Sequence, residues 1–398
     1  MTLLRNAAQR LRTAPWLLEP STQRVLGLLD GTSGRTRVVG GVVRDTVLER
    51  SRENADIDFA TELLPEEVMA RAKAEGVAAY PTGIEHGTVT LRHSELVAEV
   101  TTLREDIETD GRHAVVKFGT DWVRDAERRD FTLNALYAGM DGELFDPLGG
   151  IEDCLAGRVR FIGDADQRIE EDRLRVYRFF RFSASHGKEQ FDEAGLAASR
   201  RAAPTLDGLS AERVGHEMRR MLSLPRIAKT LRTMVEAQVI GFTDDVLERL
   251  AAYERHARKP DFVPRLAVIL SKSGAPLLRE AWRLSNEEMQ RAQAILGAAA
   301  LLQDYDLHEA AYRYPAVLSE AVEVGAVNAG WTEAGKSAVV EQLQAIEVPQ
   351  FPLNGDDLIA AGLSPGKALG EELERLEHKW IESGFKLDRA TLLGWVRH

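Results

Sequence analysis

The chain has 398 residues, 44% hydrophobic and 29% charged, with a formal net charge of −12. That is too long for one compact domain, and the balance is that of an ordinary globular protein, which excludes disordered and fibrous classes. One cysteine, Cys154, excludes an internal disulfide or a cysteine metal cluster and fits a reducing, cytoplasmic setting, while the longest apolar run, 294–302, is far short of the roughly 20 residues of a membrane helix.

The first fourteen residues hold arginines and no acids. A transit peptide has that pattern, but an amphipathic helix over 3–11 is the expectation preferred here. Residues 37–39 form a short β-rich run ending in Gly40-Gly41. Two glycines between a strand and a helix let backbone N–H groups approach a phosphate, and Arg44 adds a forked charged donor. Asp56-Ile57-Asp58 follows. On a strand, Asp-x-Asp puts both carboxylates on one face, the arrangement a pair of divalent cations requires. Residues 64–75 read as a helix with Pro65 in its first turn, and 88–92 and 96–101 as Val- and Thr-rich strands. Glu99, an acid inside the last strand, is the candidate third carboxylate.

Arg128-Arg129-Asp130-Phe131-Thr132-Leu133-Asn134-Ala135 comes next. Its basic residues could position a triphosphate and ribose; the plainer reading has Asp130 as a cap and Phe131 in the core. After 146–150 the strand signals nearly stop, so a boundary falls near 147 and the remainder is helical. From 158 to 232 there are 16 Lys or Arg against 11 Asp or Glu, a local basic stretch in an acidic chain. Within it, 170–182 reads as one helix in which Asp172, Arg175, Arg178 and Arg181 recur every third residue. A salt-bridged surface explains that spacing. So does a base at one end and phosphates at the other, and arginines interleaved with Phe179 and Phe180 are costly to bury without anionic partners.

These residues resemble the class II tRNA nucleotidyltransferases (CCA-adding enzymes) and their bacterial poly(A) polymerase relatives. Gly-Gly-x-x-Arg-Asp with Asp-x-Asp is similar to the family's first motif, and 128–135 to its second. Residues 146–153 look like the third, Glu171-Asp172 with Arg175 the fourth, and 209–218 the fifth. The resemblance covers 36–222 and reappears at 354–358 and 362–366. It implies an α/β nucleotidyltransferase head of the DNA polymerase beta superfamily (1–147). An all-α neck (148–223), body (224–345) and tail (346–398) would follow. It also implies Asp56 and Asp58 as metal ligands for Mg²⁺, with Glu99 beside them. Gly41, Arg44 and Arg129 would hold the nucleotide, and Asp172, Arg175, Arg178 and Arg181 would read base and triphosphate. The partners implied are the tRNA 3′ end, CTP and ATP, with no membrane and no protein partner.

The chemistry of the bases agrees. Cytosine and adenine each present an amino donor beside a ring-nitrogen acceptor, which an Asp and an Arg complement. Uracil and guanine reverse both groups, and unpaired buried polar groups can cost on the order of 10⁴-fold in specificity. Within the family, full CCA addition, A-addition alone and poly(A) synthesis compete. Residues 104–106 and 110–112 look like the flexible loop that CC-only relatives lack, and no segment resembles the poly(A) polymerase signature. Full CCA addition is therefore expected, with A-addition as the alternative. An inactive RNA-binding protein or a small-molecule nucleotidyltransferase is a remote alternative. No His-Asp dipeptide occurs among the nine histidines, so no phosphohydrolase domain is expected.

Overall fold

The computed structural model describes residues 2–50, 56–110, 113–272 and 275–397. They divide into two compact units, 1–217 with 229–241, and 218–228 with 242–398.

The first unit opens with helices Thr2–Arg12, Pro15–Leu18 and Pro20–Leu28 and then builds a mixed sheet. Its strands are β1 (Thr36–Val39), β2 (Ile57–Thr61), β3 (Ala78–Gly83), β4 (Thr88–His93) and β5 (Leu96–Thr102). A separate two-stranded ribbon follows, β6 (Arg104–Asp110) and β7 (His113–Phe118), and β8 (Tyr137–Ala138) and β9 (Leu144–Phe145) complete the main sheet. The segment read as a flexible loop thus begins and ends in paired strands; 111–112 lie outside the described residues. The main sheet runs β3-β4-β5-β2-β1-β8-β9. Only β2 and β5 pair in parallel.

The register places Thr90, Glu99, Asp58, Val39, Tyr137 and Phe145 opposite one another in turn across six strands. Register partners share a face of the pleat. The sequence alternates around them: Ile57 and Phe59 are buried and Asp58 is exposed, while Ala98 and Val100 are buried and Glu99 is exposed.

Helix Gly150–Ala156 starts where Asp146 accepts from the backbone N–H of Gly150 (2.8 Å) and Ile151 (2.9 Å). Its Asp153 accepts from the Thr132 hydroxyl at 2.7 Å. The expected single helix over 170–182 is two helices, Ala165–Glu171 and Arg175–Ser185, because Asp172 takes an extended conformation (φ −151°, ψ 103°). The second buries Val176, Phe179, Phe180 and Phe182, with Phe182 against Phe131, Phe179 against Phe161 and Phe180 against Phe191.

The second unit is helical throughout its described residues. Helices Asp244–His256, Phe262–Leu270, Asn286–Gln303 and Leu318–Ala329 pack together. Arg265, wholly buried, donates to the carbonyls of Leu222, Leu224 and Pro225 and pairs with Glu254 at 3.3 Å. A second cluster gathers Leu358, Leu376, Trp380, Ile381 and Leu392. There Asn354 accepts from the N–H groups of Asp356 and Asp357, so the segment matched at 354–358 is a helix cap. No described helix is long and apolar enough to cross a membrane.

Gly150 sits where a Cβ would lie 2.2 Å from the Thr132 carbonyl oxygen. Backbone must then move, and overpacking of this kind costs about 1–3 kcal/mol. Gly150→Ala is expected to lower the unfolding free energy of the first unit by that amount and its urea midpoint with it, measured by tryptophan fluorescence; an unchanged midpoint would contradict this packing.

Candidate active site

Two carboxylates face each other across the parallel pair, Asp58 on β2 and Glu99 on β5. Adjacent strands lie about 4.8 Å apart. Asp56 is exposed and sits one residue before β2 rather than within it, so the strand expected to carry both aspartates carries one. Asp58 reaches solvent, yet the surrounding head removes water from part of it. That desolvation, then repulsion from Glu99 and Asp56, raises its pKa to about 6, against the pull of Arg129. The Glu99 contribution follows directly from the register.

Like charges held side by side invite a cation. Among the described residues no three His, Cys, Asp or Glu side chains form a metal-binding group on their own. Two carboxylates completed by water and substrate phosphates are, however, what a small hard divalent ion accepts. The donor set fits such an ion without a protein-built cage.

The cationic side is built from the glycine turn and helix Arg175–Ser185. Gly40 adopts φ +80°, which only glycine takes without strain, and helix Gly41–Val47 follows. Arg44 on that helix is 6% exposed. Its Nε donates to Asp45 at 2.8 Å and its terminal nitrogen to Asn134 Oδ1 at 2.6 Å. Asn134 Nδ2 donates to Asp130 at 3.0 Å, and Arg178 Nε donates to the other Asp130 oxygen at 2.8 Å. Burial works against the Asp130 charge, but Arg178 and Asn134 more than offset it and hold its pKa at about 2. Phe131, beside it, lies in the core, so the plainer reading of this segment was partly correct.

Arg178 also approaches Glu217 at 3.6 Å, and Arg181 pairs with Glu217 while lying over the Phe182 ring. Arg181 is 5% exposed, inside the unit rather than at an open surface. Arg129 donates to Tyr137 Oη at 3.1 Å and to Asp125 at 3.1 Å.

Asp172 and Arg175 do not pair with each other. One Asp172 oxygen accepts from the Leu174 N–H at 3.1 Å and the other from Arg213 at 2.7 Å. Arg175 donates to Glu171 and to the Arg168 carbonyl, each at 2.7 Å. Both stand at the break between helices Ala165–Glu171 and Arg175–Ser185.

Asp125, Tyr137 and His186 were given no site role from sequence, and Arg213 and Glu217 were marked only as part of the segment 209–218. Asp125 left a signal, as an acid three and four residues before Arg128 and Arg129; Tyr137 and His186 left none.

The Poly A polymerase head domain model matches residues 36–160; models for an RNA-binding segment of polymerase A and a second tRNA nucleotidyltransferase domain match 190–242 and 266–396. The chain is 34% identical over 371 residues to the mitochondrial CCA tRNA nucleotidyltransferase 1 of Danio rerio, covering 90% of this chain and 86% of that one. It is 31% identical over 380 residues to the CCA-adding enzyme of Leuconostoc citreum, covering 90% and 91%. The CCA-adding enzyme of Bacillus stearothermophilus, solved in complex with CTP, superposes with a TM-score of 0.78 at 27% identity over 95% of this chain and 97% of that one.

His186, 7% exposed at the end of the neck helix, contacts Asp45 through Nε2 at 3.2 Å. Burial pushes its pKa down to about 4, although Asp45 pulls the other way. The unfolded chain therefore binds a proton near pH 6.5 that the folded chain refuses until about pH 4. The His186 contribution to stability should be full above pH 6.5 and fall by on the order of 3 kcal/mol as pH drops towards 4, while Asp58, with its raised pKa, contributes in the opposite sense below about pH 6. Urea unfolding of the wild type and of His186→Gln across that window should therefore differ by the His186 slope; identical slopes would refute the assignment.

Proposed function

Because the chain belongs to the family of CCA-adding tRNA nucleotidyltransferases, we propose that it adds CCA, from CTP and ATP, to the 3′ end of tRNA and releases pyrophosphate. The observation that carries this reading is the register pairing of Asp58 with Glu99 within reach of Arg129's charge. Asp56 and Asp58 would hold the divalent ion, with Glu99 as third carboxylate. Mg²⁺ suits them because it binds through few protein carboxylates and keeps its other positions for water and phosphate. When bound, such an ion lowers the pKa of the attacking hydroxyl and stabilises the departing pyrophosphate.

The other residues bind and select. Gly41, Arg44 and Arg129 hold the incoming nucleotide in line with the tRNA 3′-hydroxyl. Arg178 steadies the triphosphate, and Arg181 acts behind it through their shared partner Glu217. Asp172 and Arg175 read the base. A carboxylate has about four acceptor sites and a guanidinium five donors, so both can engage a base while keeping Arg213 and Glu171. The four-part division at 147, 223 and 345 assigns catalysis to the head, base reading to the neck and tRNA contact to the rest. The single buried Cys154 suits the cytoplasm.

The decisive assay gives the purified protein and Mg²⁺ three tRNA transcripts, ending before the tail, after C and after CC. Stepwise CCA on all three is expected. A single A added only to the CC-ending transcript would mean an A-adding specialist, and no incorporation would reject the reading. Asp58→Ala should cut the rate by at least about 10²-fold, the scale of several kcal/mol of transition-state stabilisation, while tRNA binding by filter assay stays intact. Asp172→Ala should narrow the preference of CTP and ATP over UTP and GTP; unchanged selectivity would remove it from base reading.

A further inference from the structure

Asp125 is a charged side chain in an unusual place. It lies on helix Trp122–Glu127 with its carboxylate 1% exposed, and it accepts from Arg128 at 2.7 Å, Arg129 at 3.1 Å and Tyr137 Oη at 2.9 Å. Arg129 Nε donates back to Tyr137 Oη at 3.1 Å, which closes a triangle of Arg129, Asp125 and Tyr137. A buried carboxylate is retained only when its partners satisfy it, and these partners bring two positive charges to one negative. The cluster keeps one surplus positive charge, and both arginines stay partly exposed.

The triangle cannot drift. Tyr137 is wholly buried, its ring edge-on to Trp122 (5.5 Å) and close to Phe145 (5.9 Å), with Arg37 lying over both of those rings. Its backbone is fixed as well: Val39 of β1 opposes Tyr137 on one side and Asp58 on the other. Tyr137 and Asp58 are therefore two strands apart on one face of the sheet, about 10 Å by strand spacing. Arg129, anchored at Tyr137, acts electrostatically on Asp58. The sheet register thus sets the position of a guanidinium relative to the carboxylates.

We propose that Asp125 and Tyr137 are positioning residues for nucleotide binding: they lock the Arg129 guanidinium where it clamps the triphosphate beside the metal-binding carboxylates. The proposal rests on the assignment of Arg129 to the nucleotide. Because neither residue faces the base, their loss weakens CTP and ATP alike.

A double-mutant cycle tests this. Tyr137→Phe keeps every ring contact and removes only the hydroxyl; Asp125→Asn keeps the shape and removes the charge. Each should raise KM for CTP and for ATP together, by about 10- to 100-fold for a lost bond to a charged group, with their ratio unchanged. In an Arg129→Ala background, Tyr137→Phe should raise KM no further, because coupled residues are non-additive. Additive effects, or a Tyr137→Phe enzyme with unchanged KM, would overturn the anchor while leaving Arg129 in the site. An Arg129→Ala enzyme with unchanged KM would overturn the assignment of Arg129 and the anchor with it. A structural defect alone would lower the active fraction and kcat and would not show this KM coupling.

Discussion

A buried guanidinium keeps its proton, so the fold that buries one must supply acceptors. This requirement organises the first unit. Arg44 and Arg181, which are buried, and Arg178, which is half-buried, are answered by Asp45, Asp130 and Glu217. The Arg44–Asn134 and Asn134–Asp130 hydrogen bonds, with the ion pairs of Arg178 and Arg181, tie helix Gly41–Val47, the turn after Asp130, helix Arg175–Ser185 and Glu217 into one body. Phenylalanines 131, 161, 179 and 182 supply the apolar contact beside that polar chain. The apolar contact gives area, and the paired charges permit only one way of docking. Arg265 meets the same requirement in the second unit, mainly with backbone carbonyls.

The carboxylates of β2 and β5 stand in the opposite condition. Asp58 and Glu99 are brought together by strand register, and the charge of Arg129 opposes their repulsion. Their neighbours on the two strands are buried and alternate with them. Two like charges held together by strand register mark a place where local stability yields to chemistry. A divalent ion would relieve the repulsion, which links the stability of these interior strands to their use.

Motif residues divide between chemistry and support. Asp146 and Asn354 cap helices, and Asp153 holds Thr132 next to the Asp130–Asn134 turn. Asp172 and Arg175 mark a break between helices, not two turns of one. The break sends the two side chains to different partners and puts both at the same junction.

How much was legible follows from the range of each interaction. Local alternation and glycine placement are written in neighbouring residues. The strands at 36–39, 88–93 and 96–102, the turn at Gly40, the helix after Pro65 and the mostly helical second half could accordingly be read directly. The identities of Asp56, Asp58, Glu99 and the arginines could be read from motif order. Partnership could not. That Glu99 opposes Asp58, that Asp172 meets Arg213, that Arg181 is enclosed by Glu217 and that Tyr137 anchors Arg129 depend on segments between 8 and 41 residues apart meeting in space. By itself the sequence determined which groups the protein has for its chemistry. Only the tertiary structure decided which of those charges face each other and which are already spent on holding the fold, because a charge's role depends on its neighbours in space.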